Sequence, residues 1–166
     1  MQIRLATLND IPAIMQVIAE VVPQMRAVGN LQWDNTYPNP AVFEQDINVN
    51  QLWLADVAGE IAGVAAITTE QYPEYAQVGL DISETAIVVH RLAVSPRYKG
   101  QGIAVALMQQ AEKEAIRRGI KFLRIDTNSQ NTIAQNLFIK TGYVFAGEIG
   151  LEFRPGMRFY CYEKQL

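Results

Sequence analysis

The sequence contains one cysteine, Cys161, and one histidine, His90, among its 166 residues. A single cysteine cannot form a disulfide within the chain, and a single histidine leaves no cluster of metal-ligating side chains. Cys161 falls in a predicted strand, where a free thiol packs as a small apolar group. We therefore predict no metal site and no redox or acyl-carrier role for this cysteine.

Long apolar runs are also missing from the sequence. The apolar stretch at residues 11–22 is interrupted by Pro12, Gln16 and Glu20, so no membrane span is predicted. Arg4 is not followed by an apolar segment with a small-residue cleavage site, which an export signal requires. The net charge of −3 does not indicate the basic face that nucleic acids require. We expect a cytoplasmic protein with neither a membrane nor a nucleic-acid partner.

The apolar patterns predict one domain over residues 1–166, without a linker or a repeat. Alternating and β-branched runs predict strands, and 3.6-residue periodicity between capping residues predicts helices. Pro23 is expected to kink or split the first helix. Strands are predicted over residues 2–6, 52–57, 61–69, 86–94, 122–126, 143–149 and 157–163, and helices over residues 11 to the twenties, from 40 onward, 102–118 and 133–141. This order indicates a mixed sheet with helices packed on it.

Positive charge and glycine are concentrated between the predicted strand 86–94 and the helix that follows it. Arg97 and Lys99 supply charge, and Gly100 and Gly102 allow an anion to approach the backbone, at a helix amino terminus whose free N–H groups attract it. The loop lacks the Gly-Lys-Ser/Thr of a Walker motif and the third glycine of a dinucleotide fingerprint. It therefore indicates another kind of phosphate site, and the alternative is a purely structural strand-to-helix turn.

The loop sequence RYKGQG, residues 97–102, resembles the Arg/Gln-x-x-Gly-x-Gly/Ala acyl-CoA loop of the GNAT superfamily of N-acetyltransferases. The residues just before it, Leu92, Ala93 and Val94, also match the family. A second block resembles the family pattern Asn-x-x-Ala-x-x-Leu-Tyr-x-Lys-x-Gly-Phe through Asn131, Ala134, Leu137, Lys140, Gly142 and Tyr143. The resemblance implies an α/β fold of α+β type: a mixed, largely antiparallel sheet of about seven strands with about four helices on both faces.

The resemblance also implies acetyl-CoA as co-substrate, with its pyrophosphate on the backbone N–H groups of residues 100–104. The pantetheine arm is expected to pair with the strand at Leu92–Val94, whose backbone can also polarise the thioester carbonyl. Asn131 is expected to contact the same arm, or alternatively to cap a helix. The cofactor-binding residues expected from the resemblance are Leu92, Ala93, Val94, Arg97, Lys99, Gly100, Gln101, Gly102, Ile103, Ala104, Asn131 and Phe138.

A base is required, because a primary amine with a pKa of about 10.4 is protonated at cytoplasmic pH. His90 lies on the strand before the CoA loop, and histidine titrates near neutral pH. Glu84 and Glu70 are the rival bases, and water can relay the proton. The alternative for His90 is a strand histidine that is satisfied by a hydrogen bond and turned away from the cleft.

One residue departs from the family pattern. The tyrosine that often protonates the departing CoA thiolate falls on Phe138, whose ring donates no proton. Because a thiol is a tolerable leaving group, we expect catalysis to be weakened rather than abolished. The tyrosines that can substitute are Tyr143, Tyr72, Tyr75, Tyr98 and Tyr160.

The acceptor is expected to contact the polar, aromatic segments 29–40 and 70–84. Trp33, Asp34, Tyr37 and Tyr72 are candidates to bind an amine by cation–π contact and ion pairing, and the alternative is that the aromatics only pack. We predict transfer of an acetyl group to an amine of a small molecule or protein by direct attack, in a possible homodimer. A weakly catalytic acyl-CoA-binding or sensing module is the second hypothesis, and a partner-binding scaffold is the third.

Overall fold

The computed structural model describes all 166 residues and contains one seven-stranded sheet in the order β1-β2-β3-β4-β5-β7-β6. Only β4 and β5 pair in parallel, so the prediction of a mixed, largely antiparallel sheet is confirmed. The strands are β1 Gln2–Leu5, β2 Leu52–Val57, β3 Glu60–Thr68, β4 Ala86–Val94, β5 Phe122–Asn128, β6 Val144–Leu151 and β7 Arg154–Gln165. The helices are α1 Ile11–Ala27, α2 Pro40–Asn48, α3 Ile103–Arg118 and α4 Thr132–Lys140.

The helix boundaries follow from local sequence signals. Asn39 accepts a hydrogen bond of 3.0 Å from the backbone N–H of Val42, and Pro40 takes the first position of α2. Gly119 ends α3 in the left-handed conformation, with φ at 67°. Pro23 does not split α1, because the helix continues through it to Ala27.

Two other details differ from the predicted pattern. The apolar side chains of Ile116 and Ile133, within the predicted helices 102–118 and 133–141, are exposed rather than packed on the sheet. Strand β5 is longer than predicted because it pairs with β7 as far as Asn128. Strand β7 is longer because it pairs with β6 from Arg154 and with β5 as far as Gln165. Cys161 is fully buried as expected, and burial raises the pKa of its thiol to about 12.

The helices cover both faces of the sheet. Helices α1 and α2 pack on one face through residues such as Ile14, Ile18 and Phe43, while α3 and α4 cover the other. Gly63 on β3 allows α3 to approach closely, because a Cβ there would lie 2.6 Å from Cγ2 of Ile103. The first turn of α3 is thereby held against the sheet. None of the helices combines the length and the apolar character needed to cross a membrane.

Strands β4 and β5 separate after a short paired segment. They pair only at three positions, the last joining Val88 to Arg124. Beyond this point β4 continues to pair with β3 as far as Val94, and β5 continues with β7 as far as Asn128. A register shift between β3 and β4 also places one extra residue on β4 near Arg91, whose φ is 53°. The two central strands therefore diverge and leave an opening in the middle of the sheet.

Candidate active site

A cleft of about 100 Å³ lies where β4 and β5 diverge. Its walls come from both faces of the sheet: Asn131, Ala134 and Phe138 from the α4 side, and Trp33, Tyr37 and Tyr72 from the other. A second cavity of about 330 Å³ shares the side chains of Tyr37, Tyr72, His90 and Arg91 with the cleft. The opening therefore connects the α3/α4 face with a larger space beside α2.

The predicted CoA loop presents free backbone donors. Gly100 and Gly102 have φ values of 75° and 77°, which favour glycine, and a Cβ at either position would meet no protein atom within 4 Å. No acceptor within the chain bonds to the backbone N–H groups of Gly100, Gly102 or residues 103–105. Lys99 is exposed and forms no ion pair. Free N–H groups at the start of α3 provide the geometry of an anion site.

Arg97 contributes less positive charge to this loop than the sequence suggests. Its guanidinium lies 3.6 Å from a carboxylate oxygen of Glu20 and 3.3 Å from one of Glu60. Glu60 also accepts a hydrogen bond of 2.7 Å from the Tyr98 hydroxyl. Arg97 therefore ties the loop to α1 and to the β2–β3 hairpin. Gln101 is exposed at the tip of the loop, and the side chain of Ile103 is buried.

The strand before the loop reaches the cleft at one side chain. Leu92 lines the cleft, whereas Ala93 packs in the core under α1 and Val94 packs against the α3 side. Ala93 and Val94 can contribute only backbone groups on this edge of β4. Ala104 is half-buried in the first turn of α3, where its N–H is one of the free donors.

A buried ion pair holds the irregular part of β4. Arg91 donates from Nε and Nη2 to the two carboxylate oxygens of Asp46 at 2.7 and 2.8 Å, and from Nη1 to the Tyr37 hydroxyl at 3.3 Å. Gln51 donates a further hydrogen bond of 2.9 Å to Asp46. A non-glycine residue in the left-handed region costs about 1–3 kcal/mol unless its surroundings enforce it. This bidentate pair between β4 and α2 supplies that constraint.

His90 lies on the cleft side of the same bulge. Its Nε2 atom is 2.9 Å from the carbonyl oxygen of Glu70, and a carbonyl can only accept, so Nε2 carries the proton. In the neutral ring the lone pair is then on Nδ1, which lies 3.5 Å from the Tyr72 hydroxyl. His90 thus makes the hydrogen bond of the structural alternative and still lines the cleft.

The other predicted bases lie differently. Glu70 lines the second cavity, whereas Glu84 is exposed and lines neither cavity. The Glu84 carbonyl oxygen accepts a hydrogen bond of 2.8 Å from Gln71. The structure therefore does not bring the Glu84 side chain into the site. Arg124 holds the loop around Glu84, because it donates hydrogen bonds to the Gln71 side chain and to the Asp81 carbonyl oxygen.

Asp126 is a site residue that the sequence reasoning missed. It lies on β5, two residues beyond the last pair with β4, and it lines the cleft. Its Oδ2 atom accepts a hydrogen bond of 2.5 Å from the Tyr75 hydroxyl. Burial raises the pKa of the Asp126 carboxyl above its ordinary value, although Tyr75 and the nearby His90 oppose the shift. Asp126 thus places at the opening a carboxyl group whose charged form is costly to bury.

The sequence matches the model of the Acetyltransferase (GNAT) family over residues 21–143. The chain belongs to the GNAT acetyltransferase family.

Individual GNAT relatives resemble the chain to different extents. Streptothricin acetyltransferase of Escherichia coli is 32% identical over 59 residues, which are 36% of this chain and 34% of that protein. The uncharacterized N-acetyltransferase YesJ of Bacillus subtilis is 25% identical over 151 residues, covering 86% and 81% of the two chains. A GNAT acetyltransferase structure from Streptococcus agalactiae has a TM-score of 0.80 and 27% identity, over 99% and 95% of the chains. The Salmonella typhimurium protein yncA, solved with its cofactor acetyl-CoA, has a TM-score of 0.72 and 17% identity, over 100% and 94%.

The tyrosines that were predicted as the general acid occupy different places in the structure. Tyr143, the predicted acid, is buried in the core outside both cavities, and its hydroxyl has no hydrogen-bond partner. Tyr98 and Tyr160 also lie outside the cavities, and the Tyr75 hydroxyl is held by Asp126. Tyr72 is the one tyrosine among the five candidates that lines the cleft. The role of Tyr143 as acid stays a prediction, and its hydroxyl is enclosed by the core in this structure.

Phe138 and Asn131 line the same cleft on the α4 side. The ring of Phe138 is buried and packs against those of Tyr143 and Tyr162. Asn131 combines its two expected roles in part, because Oδ1 accepts from the N–H of Ala134 at 3.2 Å as a helix cap while the residue faces the cleft. Its Nδ2 donates to the Thr127 hydroxyl at 3.1 Å.

The residues predicted to bind the acceptor amine do not all lie at the cleft. Trp33, Tyr37 and Tyr72 line the cleft, but Asp34 does not. The exposed Asp34 carboxylate accepts from the side chain and backbone of Thr36, at 2.6 and 2.7 Å, and these hydrogen bonds hold its pKa below the ordinary value. Asp34 therefore stabilises its own turn. Arg154, at the start of β7, is a second cleft residue that the sequence reasoning missed.

Removing the carboxylate of Asp46 should leave the Arg91 charge buried without a partner. We expect Asp46→Asn to lower the free energy of unfolding by roughly 3–5 kcal/mol. The matched control, Glu148→Gln, breaks the exposed pair with Arg158 at 3.6 Å and should cost less than about 1 kcal/mol. Urea unfolding followed by circular dichroism measures both. Equal losses in the two variants would contradict a constraining role for the buried pair.

The Asp126 pKa predicts a dependence of stability on pH. Because the pKa is raised on folding, the folded state holds the proton more tightly, and stability falls as the pH rises from about 4 through the raised value. Asp126→Asn should therefore be more stable than the wild type at pH 7, by an amount that shrinks as the pH approaches 4. Asp34→Asn, whose carboxyl has a lowered pKa, should show the opposite sign at pH 7. Unfolding curves at several pH values measure both, and a constant difference for Asp126→Asn would contradict the assignment.

Proposed function

We propose that the protein transfers an acetyl group from acetyl-CoA to a primary amine by direct attack of the amine on the thioester. The observation that carries this proposal is the opening between β4 and β5, which is lined by His90 and Asp126 and borders the strand that runs into the free backbone donors of the loop. Membership of the GNAT family supports acetyl transfer as the reaction class. The solved structure of yncA with acetyl-CoA supports the same co-substrate on this fold.

The residues present fit acetyl-CoA. The free N–H groups of Gly100 and residues 102–105 would hold its pyrophosphate, with Lys99 as the nearby exposed cation. The edge of β4 that faces the opening, residues 89–94, has unpaired backbone groups that would bind the amides of the pantetheine arm. When bound, acetyl-CoA supplies a thioester as the activated acyl group.

Side chains of the cleft accept and donate the protons of the proposed reaction. Asp126 attracts the ammonium group of the acceptor, and Nδ1 of His90 provides the lone pair that accepts its proton. The free amine then forms the C–N bond as the C–S bond breaks, and a backbone N–H of β4 stabilises charge on the carbonyl oxygen. The nitrogen then loses its second proton, and the departing thiolate gains one through water or the Tyr72 hydroxyl, so that the products are the amide and the free thiol. Burial raises the pKa of Tyr72, so its hydroxyl stays protonated between these transfers.

A second function is favoured by one observation. Phe138 places a phenyl ring in the cleft where the GNAT pattern often has a hydroxyl, so a protein that binds acetyl-CoA without efficient turnover is the alternative. Release of thiol in the presence of an amine separates the two functions. Phe138→Tyr restores the hydroxyl without changing the rest of the ring.

Substitution at Gly102 tests the proposed phosphate site. Gly102→Val should weaken acetyl-CoA binding by about tenfold or more and lower thiol release at subsaturating acetyl-CoA, because a branched side chain crowds the free N–H groups. Gly119→Val is the matched control, since Gly119 has a φ of 67° and open surroundings at the opposite end of α3. Calorimetric titration of CoA and a thiol assay over a panel of amines measure both effects.

Two outcomes would contradict this proposal. Equal CoA affinity in the folded Gly102→Val and Gly119→Val proteins would exclude the loop as the phosphate site. Tight CoA binding without thiol release for any amine, in the wild type and in Phe138→Tyr, would instead favour the binding module.

A further inference from the structure

Arg154 occupies an unusual position at the cleft. The side chain is half-buried, and its guanidinium carbon lies 5.1 Å from the ring centre of Tyr37 and 5.4 Å from that of Phe153. Nη1 donates a hydrogen bond of 3.2 Å to the carbonyl oxygen of Phe153. No carboxylate oxygen lies within 4 Å of its nitrogen atoms. Two aromatic contacts thus hold a cation in place while its remaining donors stay free.

The other charges of the cleft are arranged differently. The charge of Arg91 is balanced by Asp46 through two short hydrogen bonds. Asp126 accepts from a neutral hydroxyl and has no cation within 4 Å. The cleft therefore contains one cation, Arg154, and one carboxylate, Asp126, that lack an ionic partner within the chain.

We propose that the acceptor is an amine that also carries a carboxylate, with Asp126 facing its ammonium group and Arg154 binding its carboxylate. This inference rests on the proposed acetyl transfer and narrows its substrate class. Arginine binds a carboxylate through two parallel hydrogen bonds, a geometry that a neutral carboxamide cannot reproduce with equal strength. An amine without an anionic group would leave the Arg154 charge unpaired beside it, which disfavours such acceptors.

A diamine is the competing acceptor, with its second ammonium group near Glu70 in the larger cavity. Glu70 is exposed, and an exposed carboxylate attracts a cation only weakly because water screens the charge. Arg154 is less exposed and is already oriented by Tyr37 and Phe153. The observations therefore favour the amino carboxylate over the diamine.

The experiment compares amino acids with their carboxamides and with a series of diamines. Binding to the CoA-loaded protein is measured by calorimetry, and turnover is measured by release of free thiol. Arg154→Gln removes the cation, and Arg158→Gln is the matched control, because Arg158 lies on the same strand but outside both cavities. We expect at least one amino acid to have a KM about tenfold or more below that of its carboxamide. Arg154→Gln should remove this preference, and Arg158→Gln should retain it.

The outcomes separate this inference from the proposed function. Arg154-dependent binding of an amino acid without thiol release would support the carboxylate site and count against acetyl transfer. Thiol release with equal use of acids and amides in the wild type, or an acid preference that survives Arg154→Gln, would overturn the inference and retain the transferase. Preference for diamines over all amino acids would also overturn it.

Discussion

The loss of pairing between β4 and β5 is the constraint on which the rest of the site depends. Two parallel strands in the middle of a sheet are expected to satisfy each other's backbone groups, yet these strands do so at only three positions. The groups released by the divergence face each other across a narrow opening. A ligand with its own amides, or water, is needed to complete the hydrogen bonding there. The sheet therefore has a binding edge at its centre rather than at its margin.

The divergence is stabilised from the side of the sheet that carries α1 and α2. The extra residue on β4 requires a left-handed backbone at Arg91, and the Arg91–Asp46 pair connects this strained segment to α2. On β5, the partly buried carboxyl group of Asp126 is another unfavourable feature, compensated in part by Tyr75. The strained backbone of Arg91 and the partly buried carboxyl group of Asp126 thus both lie at the cleft. Such concentration of locally unfavourable features is typical of functional sites.

The features that could be predicted from the sequence are those that short stretches of the chain determine by themselves. Alternating apolar residues and capping residues such as Asn39 and Gly119 predicted the strands and helices, and the spaced Gly100 and Gly102 predicted a loop with free N–H groups. Pro23 was misleading, because a proline inside a sequence-defined helix does not by itself show whether the packed helix will continue. The boundaries of β5 and β7 depend on their mutual pairing, which no local pattern encodes.

The site itself was less predictable for the same reason. The bulge at Arg91 and the separation after Val88 are properties of register between strands distant in sequence. Asp126 gave one local signal, a carboxylate at the end of the predicted strand 122–126, which a search for polar residues at strand ends would have found. Arg154 gave none, since an arginine at a predicted turn is ordinarily solvated. Asp34 and Glu84 were predicted because they are charged residues in polar loops near the site. In the structure the Asp34 carboxylate accepts hydrogen bonds within its own turn, and the Glu84 side chain is exposed to solvent.

Hydrogen–deuterium exchange of the backbone amides tests the central claim most directly, because it reports which groups acetyl-CoA protects. Addition of acetyl-CoA should slow exchange in residues 89–94 of β4 and residues 100–105 of the loop. Exchange at the outer edge strands β1 and β6 should remain unchanged. Protection of β1 or β6 with no change in residues 89–94 would contradict the account, since the opening between β4 and β5 would then not be where the ligand binds.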